Sequence, residues 1–327
     1  MSPDDGPPQG GASHEHGVRA SGRTAVTPAG LRAWGWRAYL RLLRPHQWVK
    51  NGFVFLGLLF GHAWSDQVKL GQALAAFAAF CLLASAVSVM NDLIDREQDR
   101  LHPKKKLRPL VTGAVSVGGA CALAAACHVA GGIIARLWAG SAPWIFVAYV
   151  ALNVGYSFGL KHVVILDVFI IAAGFMLRIL AGTLGLDIAP SQWLLLCGLM
   201  LTLFLGFAKR RAELDALQDD SVGHRRVLEH YTAPMLDQFI GIAAAGTVIA
   251  YALYTVSAET VALHGTRALI ATVPFVLYGM LRYLWKLHAR GGGGDPAQEL
   301  LRDPHLLAAT AGWLVLVLIL LGGLGLQ

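Results

Sequence analysis

LGQALAAFAAFCLLASAVSVMNDLIDREQDR, residues 70–100, stays apolar for two-thirds of its length and then turns abruptly acidic. From Leu70 to Met90 it holds no Asp, Glu, Lys or Arg. About 20 such residues, wound as a helix, cross the hydrocarbon core of a bilayer. Inside lipid the backbone amides must bond one another, which leaves helices or closed barrels. Barrel strands alternate apolar and polar residues over about ten positions, and this stretch shows no such alternation. It reads as a transmembrane helix that ends in a cluster of carboxylates.

Stretches of the same kind lie on both sides of it. Nine spans are predicted, at about 46–62, 70–91, 113–135, 143–160, 164–184, 191–208, 235–256, 267–287 and 305–325. Composition agrees: 55% of the 327 residues are hydrophobic, and mean hydropathy is +0.54. Only 14% are charged, against about a quarter in soluble domains. The expected fold class is all-α, a polytopic membrane bundle of about nine transmembrane helices. Residues 1–30, rich in Gly, Pro, Ser and His, cannot bury a core and are expected to form a disordered tail. They lack the apolar core of a secretory signal. The transmembrane domain then covers 31–327, opening on an amphipathic, Trp- and Arg-rich segment suited to the membrane interface. GGGGDP (291–296) reads as a linker.

The charges sort by loop. Basic residues crowd the first helix (Arg32, Arg37, Arg41, Arg44, Lys50), the loop after span 2, and the connections after spans 4, 6 and 8. The intervening loops carry only Lys69, Arg136 and Arg267. This alternation predicts a cytoplasmic N-terminus. It also accounts for the net charge of +7 without nucleic acid, since no soluble domain is present to carry a basic stripe. Cys81, Cys121, Cys127 and Cys197 sit in apolar segments and form no CxxC pair, so they read as small buried hydrophobes.

Chemistry concentrates where span 2 ends. Asp92, Asp95 and Asp99 stand at i, i+3 and i+7, with Asn91 four residues before Asp95. On a continuous helix their oxygens share one face. Carboxylates so crowded call for compensating cations, and hard oxygen donors suit Mg²⁺. The alternative is a solvated acidic face paired with Arg96 and Arg100. LHPKKKLRPL follows, bringing His102, Lys104, Lys105, Lys106 and Arg108. A carboxylate–metal site beside clustered cations describes a pyrophosphate holder; alone, the basic run would equally suit anionic lipid.

Further candidates border the same face. YSFGLKHVVILD, between spans 4 and 5, supplies Tyr156, Lys161 and Asp167. Arg178 lies eleven residues further, about 16 Å along that helix, and must point into the bundle. Lys209 and Arg210 leave span 6, Tyr231 follows, and Lys50 enters span 1. Each could contact a phosphate or anchor a helix at the interface.

The NDLIDREQD element closing a second span, HPKKKLRP after it, YSFGLKHVVILD and the nine spans together resemble the UbiA superfamily of intramembrane transferases. RPHQWVKN, the HPxKxxRP tract and the YSxxLK loop look like its polyprenyl-phosphate phosphoribosyltransferase branch. The resemblance covers about residues 40–325 and implies a UbiA-like bundle in the inner (plasma) membrane. It also implies an enzyme with Mg²⁺ as cofactor, phosphoribosyl diphosphate as donor and a polyprenyl phosphate of decaprenyl type as acceptor. A role in cell-wall precursor synthesis would follow. Metal would sit on Asp92, Asp95 and Asp99. The substrate would meet Lys50, Asn91, Lys105, Arg108, Tyr156, Lys161, Asp167, Lys209, Arg210 and Tyr231. Aromatic prenyltransferases of the superfamily carry a second DxxxD motif after span 6. Here that region reads KRRAELDALQDD, with Glu213, Asp215, Asp219 and Asp220 beside three cations. A prenyl-diphosphate enzyme with an aromatic or quinone acceptor is therefore the second reading, and a transporter or lipid-binding protein the third. The sequence leaves a homo-oligomer open.

Overall fold

The computed structural model describes residues 35–101, 105–137, 139–218, 226–289, 299–300 and 302–322. The expected tail, His102 and Lys104 of the basic run, Asp219, Asp220 and the glycine linker lie outside them. The described residues form helices and connecting turns, with no strand among them.

A short helix α1 (Gly35–Leu43) leads into a 3₁₀ helix, Pro45–Val54, which continues as α2 (Phe55–Phe60). The long α3 (Gln67–Ile94) follows, then α4 (Arg96–Leu101), α5 (Val117–Leu137), α6 (Trp144–Phe158) and α7 (Leu166–Ala181). The remainder is α8 (Gln192–Gln218), α9 (Ala233–Val256), α10 (Ala258–His264), α11 (Val273–Ala289) and α12 (Pro304–Leu321). Among the described residues, seven helical stretches are long and apolar enough to cross a membrane. Two of the nine predicted spans differ from that pattern. The fourth is α6, whose 15 residues reach about 22 Å, short of a core about 30 Å thick.

The first predicted span is not one α-helix. Ten residues wound as 3₁₀ rise about 20 Å and the six of α2 about 9 Å, so together they still reach across. Long 3₁₀ runs are uncommon, and this one is held by its neighbours. Trp48 Nε1 donates to Ser85 Oγ (3.0 Å), and Ser85 Oγ donates to the Leu43 carbonyl (2.8 Å). Asn51 donates to Cys81 Sγ and accepts from Arg178 Nε at 2.7 Å. Glycine lets α2 approach: a Cβ on Gly57 would fall on the Gly182 carbonyl, and one on Gly182 on that of Val54. Small residues at such crossings are the usual membrane solution.

The apolar faces agree with lipid as solvent. Val129 (62% exposed), Val147 (70%) and Ile242 (69%) stand on the outer faces of α5, α6 and α9. In water such surfaces would aggregate; in hydrocarbon they cost nothing. More than half of the apolar stretch is buried in α3 and in α7 (56% each), against 22% in α5 and 17% in α12. The first pair therefore lies central and the second peripheral. One core joins α7, α8, α9 and α11 through Val168, Phe204, Phe207, Ile240 and Tyr283. Another joins the first span, α3, α6 and α7 through Val54, Ala76, Phe80, Ile145, Tyr149 and Ala181. A third brings Phe60 of α2 against Leu194, Tyr254 and Val317, so the first span meets the last helix. The chain is a multi-pass helical membrane protein.

Candidate active site at the charged end of the bundle

The C-terminal ends of α3, α6 and α8 and the loops that follow them meet at one end of the bundle. Ser157 Oγ donates to Asn91 Oδ1 at 2.6 Å, and Lys161 Nζ approaches Asp95 Oδ1 at 3.3 Å, tying α3 to the α6–α7 loop. The Ile165 amide donates to the Tyr231 hydroxyl at 2.6 Å, tying that loop to the segment before α9.

The three aspartates do not share one continuous face. α3 stops at Ile94, and Asp95 leaves the α-helical region at φ −85°, ψ 4° before α4 restarts. Asp92 and Asp99 are buried, at 3% and 2% exposure, and converge on Arg108. Asp95 is about a third exposed (33%) and faces Lys161. Nor are the carboxylates uncompensated. Arg108 Nη1 donates both to Asp92 Oδ1 (2.9 Å) and to Asp99 Oδ2. Arg44 Nη2 donates to Asp92 Oδ1 at 2.5 Å, and Lys105 Nζ lies 3.8 Å from Asp99 Oδ1. Arginine and lysine supply compensating charge, from Arg44, Lys105 and Arg108 rather than from the Arg96 and Arg100 that the alternative named.

Among the described residues no group of three or more His, Cys, Asp or Glu side chains is arranged to hold a metal. That is compatible with Mg²⁺, which takes one or two protein carboxylates and completes its shell with water and substrate phosphate. Asp92 and Asp99, aimed at one cationic nitrogen, are a fitting pair of donors.

A second buried set lies beside the first. Asp167 is fully buried and accepts from Arg210 Nε (2.7 Å) and from the Tyr231 hydroxyl (3.0 Å). Arg210 is 1% exposed; its Nη1 donates to Glu213 at 2.6 Å, while its Nη2 is buried with no hydrogen-bond partner among the described residues. Tyr156 is near enough to Arg210 to interact electrostatically. Burial, and then the neighbouring Asp167, push the Tyr231 phenol up to about 12, so it stays a donor at neutral pH. Ile165 holds φ 67°, an outlier for a β-branched residue. The Tyr231 hydroxyl on its amide fixes that strained turn directly before Asp167. Arg211 bonds Asp215 and Asp237, so the described acids at the end of α8, Glu213 and Asp215, are both paired with arginine. Lys50 and Lys209 are half-buried, and both interact with neighbours.

Arg178 lies deeper, without a carboxylate. Its guanidinium bonds Asn51, the Gly174 carbonyl and the Tyr149 hydroxyl, and stacks 4.7 Å over Tyr149 and 5.1 Å over Phe80. It locks the first span against α7, which is the structural role the sequence left open. Arg44 had read only as an interfacial charge. Its place before Pro45 was the one available signal, because proline disfavours helix in the residue preceding it.

Buried carboxylates and clustered cations thus meet at one end of a helical membrane bundle. Residues 52–299 match the UbiA prenyltransferase family, and the chain belongs to it. It is 31% identical to the decaprenyl-phosphate phosphoribosyltransferase of Mycolicibacterium smegmatis, covering 84% of this chain and 89% of that one. To the enzyme of the same name from Corynebacterium glutamicum it is 35% identical, covering 84% and 83%. A UbiA homolog from Archaeoglobus fulgidus bound to GPP and Mg²⁺ superposes with a TM-score of 0.65 over 87% of this chain and 97% of that one. At 19% identity that likeness concerns the fold.

Proposed function

We propose that this chain transfers 5-phosphoribose from phosphoribosyl diphosphate to a polyprenyl phosphate of decaprenyl type, releasing pyrophosphate, at the cytoplasmic face of the plasma membrane. The observation that carries the reading is the pair of buried carboxylates, Asp92 and Asp99, ringed by Arg44, Lys105 and Arg108. The relatives' names supply the substrates. An oxygen of the acceptor phosphate attacks the ribose anomeric carbon. The bond from that carbon to the diphosphate breaks, its electron pair leaves with pyrophosphate, and the acceptor becomes a phosphodiester. The acceptor is already an anion near neutral pH, so the step needs no strong base.

Asp92 and Asp99 would hold Mg²⁺, which would supply charge stabilisation to the departing diphosphate. The protein's own cations do the rest. Arg108, Lys105 and Lys161 neutralise the diphosphate, and Arg210, with Tyr156 near it, is the cation left for the remaining phosphate, to which Lys209 on the same helix adds positive charge. Lys50 and Asn91 position the mouth of the first span and of α3. Holding both reactants in line supplies much of the rate enhancement.

Prenyl transfer is the second reading. Its donor would call on acids beside α8 for a further cation. Of the described ones, Glu213 and Asp215 are bound to Arg210 and Arg211, as Asp92 and Asp99 are to Arg108. It is therefore the relatives' activity that ranks this reading second. A donor screen decides. Purified protein in lipid, given Mg²⁺ and polyprenyl phosphate, should form a lipid-linked phosphoribose from phosphoribosyl diphosphate and leave prenyl diphosphates untouched. Consumption of a prenyl diphosphate with an aromatic acceptor would replace the proposal.

A further inference from the structure

Arg108 raises a question that the transfer reaction does not answer. Its Nη1 occupies the point on which the Asp92 and Asp99 oxygens converge, which is where a divalent cation would sit. It is not alone there. Around the three aspartates stand Arg44, Lys105, Arg108 and Lys161. Three negative charges thus face four positive ones before any metal arrives.

We propose that Arg108 is a resident counter-cation that makes the site take a divalent ion only as its complex with a diphosphate. The inference rests on the proposed function, of which it specifies the binding step. A bare divalent ion would have to displace the Arg108 guanidinium from two buried carboxylates and leave it unpaired in a site already in positive excess. Both effects oppose binding, and burial enlarges them because screening by water is weak there. A diphosphate reverses the balance. It carries more negative charge than one divalent ion neutralises, so the complex brings the anion that the displaced Arg108 needs. Guanidinium and phosphate pair as well as guanidinium and carboxylate, with two parallel hydrogen bonds available.

The placement of Arg108 suits an exchange. Lys105–Leu107 is a single 3₁₀ turn outside the membrane helices, and the Arg108 amide donates to the Lys105 carbonyl at 3.0 Å. The Arg108 side chain is about a quarter exposed, unlike the aspartates it bridges. A partly exposed cation therefore covers two buried anions. Arg44 also donates to Asp92, so Asp92 keeps a cation when Arg108 turns to the diphosphate.

Equilibrium dialysis of radioactive Mn²⁺ against the full-length protein in phosphatidylcholine nanodiscs tests this, with methylenediphosphonate as the diphosphate. The Asp92→Asn/Asp99→Asn variant serves as the blank. The wild-type protein should bind Mn²⁺ at least tenfold more tightly with the diphosphonate than without it. Arg108→Gln should bind bare Mn²⁺ more tightly than wild type and lose most of the enhancement. Arg108→Lys, which keeps the charge, should retain part of it. Equal Mn²⁺ affinity with and without diphosphonate in a folded wild-type protein would overturn the inference, as would weaker binding of bare Mn²⁺ by Arg108→Gln. Because methylenediphosphonate mimics any diphosphate donor, the result does not depend on whether phosphoribose or a prenyl group is transferred. A failed donor screen with intact enhancement would sink the proposed function alone.

Discussion

Arg210 Nε donates to Asp167 Oδ2 at 2.7 Å, and neither side chain is more than 1% exposed. The pair joins α8 to the start of α7 where membrane and solvent meet. Removing one partner strands a buried charge, which costs about 3–5 kcal/mol. Arg210→Met should therefore unfold well below the wild type in detergent, and Asp167→Asn added to it should restore part of the loss. Thermal melts of both single variants and the double give the coupling directly. Additive losses would mean the pair does not hold the two helices together.

Tyr231 tests the same junction from the other side. Tyr231→Phe leaves the Ile165 amide without its acceptor and Asp167 without one donor, a loss of about 1–3 kcal/mol. Its folded value of about 12 lies above the ordinary 10. The contribution to stability is then complete below pH 10 and disappears as pH rises through 12. The difference in stability between wild type and Tyr231→Phe should shrink over that window and stay flat from pH 6 to 9.

The aspartates should not be equivalent. Asp92→Asn and Asp99→Asn remove buried members of the converging pair and should lower turnover about 10²–10³-fold with normal membrane insertion. Asp95→Asn touches a third-exposed carboxylate facing Lys161 and should cost distinctly less. Phosphoribosyl transfer rates on quantified membranes check this. Equal losses at all three positions would show that Asp95 turns inward during the reaction.

Packing of the first span makes a prediction independent of the chemistry. A methyl group on Gly182 has no room beside the Val54 carbonyl. Gly182→Ala should push the 3₁₀ segment off α7 and destabilise the protein by about 1–3 kcal/mol. Gly71→Ala, where nothing lies near, is the control and should hold or slightly raise the melting temperature, since alanine favours the helix.

Much of this molecule can be read in one dimension, and the reasons for the exceptions are physical. Apolar length fixes the spans because lipid demands it, and the loop charges gather at one end as the alternation required. Asp92, Lys161, Asp167 and Tyr231 were marked by charge or aromaticity next to apolar helices, and the structure draws them to that end. Spacing could not show that α3 breaks at Asp95, since i, i+3, i+7 presupposes an unbroken helix. It could not pair Arg44 with Asp92 across 48 residues, because long-range ion pairs leave no periodic trace. The first span looked like any apolar helix. Its 3₁₀ winding is imposed by Arg178, Ser85 and Cys81 from other helices.

The central claim is that Asp92 and Asp99 together hold the metal end of a diphosphate donor. A cryo-EM map of the protein in nanodiscs, with Mn²⁺ and phosphoribosyl diphosphate, tests it most directly. The account predicts a divalent ion between those two carboxylates, in contact with the diphosphate, and Arg108 moved onto the phosphate oxygens. Arg108 still bridging Asp92 and Asp99, with the donor bound elsewhere in the bundle, would contradict it.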